Sequence, residues 1–92
     1  MTKGELVSAV AERSGLSRVE ALRAIDSMVS VITAALRTGD EVKIVGFGSF
    51  LVSRRAGGQA RNPRTGARVN VPASNHPKFR AGLQLRAAIN ES

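Results

Sequence analysis

GFGSFLVSRRAGGQARNPRTGARVNV, residues 46–71, is the stretch on which the fold turns. Gly46-Phe47-Gly48 is turn chemistry, because glycine tolerates positive φ. Phe50 and Val52 then alternate with their neighbours in a strand pattern. After Arg55 the residues become small and polar: Ala56, Gly57, Gly58, Gln59 and Ala60. Asn62-Pro63-Arg64-Thr65-Gly66 is a second turn, with proline presetting φ and glycine closing it. Val69, Val71 and Ala73 resume the alternation as a third strand. From Ser53 to Asn70 there are five arginines, one proline and few apolar side chains. Two readings compete for this segment: a disordered loop, or a β-ribbon that projects from the body and gains order on binding. A long structureless loop inside a compact domain is uncommon unless it is functional. Turn chemistry between alternating residues favours the ribbon.

On the N-terminal side of this stretch the period is helical. Thr2 before Lys3-Gly4-Glu5 fits a capping box. Leu6, Val7, Val10 and Ala11 form an apolar stripe, and the helix should end near Ser14-Gly15. Ser17-Arg18-Val19-Glu20 is a second capping box. It opens a longer helix with Ala21, Ile25, Met28, Val29, Ile32 and Leu36 on one face, widened by Val31 and Ala35. Gly39 is its expected stop. Val42 and Ile44 then alternate with Lys43 and Val45 as a first strand. On the C-terminal side Pro77 interrupts, and Leu83, Leu85, Ala88 and Ile89 suggest a short final helix. The expected fold is α+β in one domain, residues 1–92. It has a helical hairpin over 1–41 and a three-stranded antiparallel sheet over 42–76. A β-ribbon arm protrudes at about 53–70, and the C-terminal helix takes up 77–92.

Composition narrows the function. The chain has 92 residues and no cysteine, so neither a disulfide nor a cysteine-ligated metal can staple it. So short a chain buries a modest share of its surface, which makes association with a second chain an attractive source of core. No apolar run approaches a membrane span, and no signal peptide is visible, so a soluble cytoplasmic protein is expected. The formal net charge is +7, which points to a polyanionic partner. Its distribution is more telling. From Met1 to Glu41 acids and bases nearly balance, whereas from Val42 to Asn90 there is no acidic residue at all. Ordinary solvated surfaces mix both signs.

Arginine dominates the bases; only Lys3, Lys43 and Lys78 are lysines. Its planar fork pairs with phosphate and stays charged at any working pH, and narrow minor grooves attract inserted arginine. A ribbon of Ala56, Gly57, Gly58 and Ala60 offers little bulk, so its backbone can approach a groove closely. Pro63 at the tip is either an apolar wedge able to unstack a base step or simply a turn-former; the residues alone leave both open. Phe47, Phe50 and Phe79 are the only aromatics and lie in apolar contexts. They read as core rather than as the stacking platforms of single-strand binders. No basic recognition helix stands out, since Arg18, Arg23 and Arg37 share the longer helix with Glu20 and Asp26. Catalysis is not expected. His76 is the one histidine and reads as a surface residue beside Pro77, the glycines match no phosphate loop, and no cofactor, metal or small-molecule substrate is called for.

Gly46-Phe47-Gly48-Ser49-Phe50, Arg55, Arg61-Asn62-Pro63-Arg64-Thr65-Gly66 and Val71-Pro72-Ala73 together resemble the signature of the HU and integration host factor family. The resemblance runs from Met1 to Asn90. It implies an intertwined dimer, homodimeric or paired with a paralogue, with two ribbon arms reaching around duplex DNA. HU and integration host factor are themselves examples of proteins that insert apolar wedges from the minor groove. By this resemblance Pro63 is the wedge, flanked by Arg61 and Asn62. Arg54, Arg55, Arg64, Thr65, Gly66 and Arg68 serve the arm. Lys3, Gly46, Arg80 and Arg86 contact DNA from the body, and Leu36, Ile44, Phe47, Phe50 and Phe79 belong to the dimer core. Many relatives carry basic residues where this chain has Gly58 and Gln59, a lysine at Leu83 and a proline at Ala81. Val71-Pro72-Ala73 and the short tail are more HU-like. The resemblance therefore implies a nucleoid-associated, histone-like protein that bends DNA with low sequence specificity. A site-specific bender like integration host factor and an RNA-binding module are the alternatives.

Overall fold

The structure, a computed structural model, describes residues 1–91. The chain forms two compact units, residues 1–35 and the residues from Leu36 onward. The first contains α1 (Lys3–Ser14) and most of α2 (Arg18–Arg37). Both expected capping boxes are made. Glu5 N donates to Thr2 Oγ1 at 3.3 Å while Thr2 N donates to Glu5 Oε1 at 3.4 Å. Glu20 N donates to Ser17 Oγ at 3.1 Å and Ser17 N donates to Glu20 Oε1 at 2.9 Å. The bond from the Ser17 backbone, then that with its side chain, holds the Glu20 carboxyl below its ordinary value. Gly15, at φ 78°, closes α1 by donating to Ala11 O. Val7, Ala21 and Ile25 are buried, with Val10, Ala11 and Leu22 packed against them. Each fully buried Val or Ile side chain contributes about 1.5–3 kcal/mol.

The second unit is built on strands. β1 (Val42–Ile44), β2 (Gly48–Arg55) and β5 (Ser74–Ala81) form an antiparallel sheet in the order β1-β2-β5, and β3 (Gly58–Arg61) pairs with β4 (Arg68–Val71) in a separate ribbon. α3 (Leu83–Ile89) follows. Opposed residues in β2/β5 and in β3/β4 share one register, Gly48 facing Ala81 and Gly58 facing Val71. The ribbon is thus the same hairpin resumed without a slip after a break at Ala56-Gly57 and Pro72-Ala73. Two features cause the break. Pro72 has no N–H to give a ladder. At Gly57 a Cβ would stand 2.7 Å from both Ala73 N and Val71 O, so only glycine fits.

Three boundaries differ from expectation. Pro77 does not interrupt: it lies inside β5 opposite Val52. Because β5 is an edge strand, the proline nitrogen can face away from its neighbour. The final helix accordingly starts at Leu83 rather than near residue 77, and ends at Ile89; Ser92 lies outside the described residues. The arm's root is also further out, since Ser53, Arg54 and Arg55 remain paired with His76, Asn75 and Ser74 in the three-stranded sheet.

Alternation gives that sheet two unlike faces. One carries Val42, Ile44, Phe50, Val52, Pro77 and Phe79. The rings of Phe47 and Phe50 lie 5.2 and 4.9 Å from that of Phe79, all tilted by about half a right angle. The Phe79 ring also lies over Gly48, where a Cβ would be 2.6 Å from its Cζ. In the single chain this cluster stays partly open: Phe47 is 43% and Phe79 42% exposed. Among the described residues, every buried hydrophobic side chain is in the hairpin.

Candidate nucleic-acid interface

The other face of the sheet is cationic. Register places Lys43 beside Ser49 and Arg80, then Leu51 with Lys78, Ser53 with His76, and Arg55 with Ser74. No carboxylate occurs between Val42 and Asn90, so these positive charges have no counter-ion from their own strands. Arg80 and Arg86 line a hollow of about 350 Å³ with Lys43, Gly46 and Leu83. Gly46 adopts φ 85°, and a Cβ there would meet Gln84 Oε1 at 2.5 Å. The turn can therefore sit close to α3 only as glycine.

In the ribbon Gln59 faces Asn70 and Arg61 faces Arg68, while Gly58 faces Val71 and Ala60 faces Val69. One surface is thus polar and cationic, the other small and apolar, and every residue of both strands is exposed. Two arginines directly opposite one another destabilise an isolated hairpin. An anion lying across them converts that repulsion into attraction.

The tip is closed by its own hydrogen bonds. Asn62 N donates to Ala67 O and Gly66 N to Asn62 O, each at 2.7 Å. Arg64 N donates to Asn62 Oδ1 at 2.9 Å, and Ala67 N to Thr65 Oγ1 at 3.2 Å. Gly66, at φ 73°, lets the chain turn back. Asn62 is half-buried and holds the turn, and Thr65 does likewise through its hydroxyl; Pro63 and Arg64 stay exposed at the apex. Pro63 thus lies in the turn and is exposed there, a position compatible with either sequence reading.

Not every expected contact falls on this surface. Alternation sends Arg54 to the phenylalanine side, where it lines a hollow with Leu36, Arg37, Thr38, Gly39, Val52 and Asn75. Lys3 belongs to the hairpin and forms a 2.6 Å ion pair with Asp26. Sequence reading counts Lys43 and Lys78 in the net charge but gives them no site. The signal that finds them is strand alternation carried through Pro77, which puts Lys78 on the face of Arg80. Among the described residues no helix is long and apolar enough to cross a membrane, and no group of His, Cys, Asp or Glu is arranged to hold a metal.

Known proteins share this arrangement. The profile of the family described as bacterial DNA-binding protein matches residues 1–90. DNA-binding protein HRL18 of Rhizobium leguminosarum is 49% identical over 90 residues, covering 98% of this chain and 99% of that one. DNA-binding protein HU of Geobacillus stearothermophilus is 48% identical over 89 residues, covering 97% and 99%. Among solved structures, an Anabaena HU–DNA cocrystal structure superposes with a TM-score of 0.86 at 37% identity, with full coverage of both chains.

Proposed function

The chain belongs to the bacterial DNA-binding protein family, and from that premise we propose how a histone-like architectural protein of the HU type grips and bends duplex DNA with these particular residues. The observation that carries the reading is the cationic sheet face, whose strands hold no carboxylate although Glu41 borders it beside Lys43, continued in register into an arginine ribbon with an exposed proline at its apex. Arg55, Lys78, Arg80 and Lys43 form the saddle on which phosphates rest. Each ribbon follows the minor groove, with Arg61 and Arg68 reaching phosphates together. Pro63 enters a base step, which costs a few kcal/mol of unstacking that the wider protein–DNA contact offsets.

The same reading requires a second chain. Phe47, Phe79 and Ile44, with half-buried Phe50 between them, form an apolar face open to water, and Met28, Val29 and Val31 of α2 are exposed as well. A like copy covering them supplies the core that the single chain lacks and brings a second arm to the duplex. Contact through phosphate and groove shape reads little sequence, so the protein acts along the nucleoid rather than at one site.

A salt titration of duplex binding tests this. Log affinity falls with log salt at about −0.9 per phosphate neutralised, and sedimentation reports two chains per complex. Pro63→Ala lowers the bend angle, read by energy transfer between duplex ends, far more than it lowers affinity. Salt-independent binding, or equal bending by both proteins, overturns the reading. A strong preference for one duplex sequence would move the protein to the site-specific class, and a preference for duplex RNA would move it out of DNA binding.

A further inference from the structure

We propose that His76 is a pH-dependent phosphate contact on the DNA-binding face, which offers a positive charge to the phosphate when protonated and none when neutral. The proposal rests on the duplex-binding reading above and adds to it a dependence on pH. Three observations carry it. His76 is the only histidine in the chain. Register puts it on the cationic face of the sheet, opposite Ser53 and diagonal to Arg55, with Ser74 and Lys78 on its own strand and Arg80 beyond. Its Nε2 lies 2.9 Å from Ser74 Oγ, which orients the ring and leaves Nδ1 available to an outside acceptor.

The charged groups that face it are therefore Arg55 from β2 and Lys78 from β5, both positive. Among the described residues β2 is the only strand paired with β5, and no acidic residue lies in either. Histidine as a residue type changes charge between pH 5 and 8. A neutral ring can accept from the Ser74 hydroxyl through Nε2 and keep Nδ1–H for an outside group; what protonation adds is a positive charge and a second N–H. Protonated, it satisfies Ser74 Oγ through Nε2 and gives Nδ1–H to a phosphate. Bound DNA supplies the negative charge that the surrounding cations lack, so duplex favours the charged ring. By linkage the complex binds more protons than the free protein, and affinity rises as pH falls.

The test measures duplex affinity of the full chain at constant ionic strength between pH 8 and pH 5.5, with salt titrations at both ends. The wild type binds several-fold more tightly at the lower pH, and its salt slope steepens there by about 0.9 per histidine. His76→Gln loses both responses, while His76→Lys keeps the steeper slope at both pH values. A wild type whose slope is unchanged with pH, or a Gln variant with the full response, overturns the proposal while leaving salt-dependent binding at pH 8 intact. Absence of salt-dependent binding at pH 8 overturns the duplex-binding reading itself and the proposal with it.

Discussion

In the hairpin Val7, Ala21 and Ile25 are withdrawn from water and both helix starts are capped by reciprocal side-chain bonds. In the ribbon every residue of β3 and β4 is exposed, and two arginines stand opposite each other with no acid nearby. The hairpin mixes charge of both signs, as with Lys3 on Asp26; the ribbon carries one sign only. Such a chain divides its labour. The hairpin's side chains act on one another, and the ribbon's, on the function proposed above, act on DNA. An isolated two-stranded hairpin is marginal in water. The ribbon's order comes instead from continuing the register of β2 and β5, and from the hydrogen bonds that close its tip.

Substitutions can break or sharpen this contrast. The largest effect belongs to the hairpin. Ile25→Ala removes a buried side chain and lowers stability by about 2–5 kcal/mol in denaturant unfolding. Equal stability of the variant and the wild type would refute the assignment of the core to this unit. Next comes the ribbon, where the effect changes kind. Arg61→Ala leaves unfolding unchanged or raises stability slightly, since a like-charge cross-strand pair is relieved. Its salt slope for duplex binding flattens by about 0.9 for each phosphate that the variant no longer neutralises. A fall in stability comparable to that of Ile25→Ala would erase the distinction between the two regions.

The smallest effect is a pH dependence in the hairpin. The Glu20 carboxyl is held below its ordinary 4.5 by the Ser17 backbone bond and then by the Ser17 side chain. A lowered folded-state value favours the ionised form, so its contribution is full above the unfolded-state value and disappears as pH falls through the folded one. Glu20→Gln is therefore slightly less stable than wild type near neutrality, and thermal unfolding curves of the two converge in acid. A constant gap down to pH 2 would mean that the bond from Ser17 does not depend on charge.

Much of this is legible in residue order. The caps at Thr2 and Ser17, the stops at Gly15 and Gly39, the turn at Asn62–Gly66 and the absence of acids from Val42 to Asn90 are local facts. They can be read directly because the interactions responsible span only a few residues. The strand through Pro77 is not legible, because a proline is tolerated there only if its strand is at an edge, and edge position is a property of the sheet.

Sequence by itself determined that this protein has a capped helical pair, a glycine- and proline-punctuated ribbon and charge of one sign from Val42 to Asn90. Side-chain chemistry and local backbone preference set all three. Only the tertiary structure decided which cations act together. Pairing β2 with β5 in a single register sends Arg55, His76, Lys78 and Arg80 to one face, and Arg54 to the other with the phenylalanines. Adjacent residues of a strand point to opposite sides, so partnership across strands, not nearness in the chain, selects which cations share a surface.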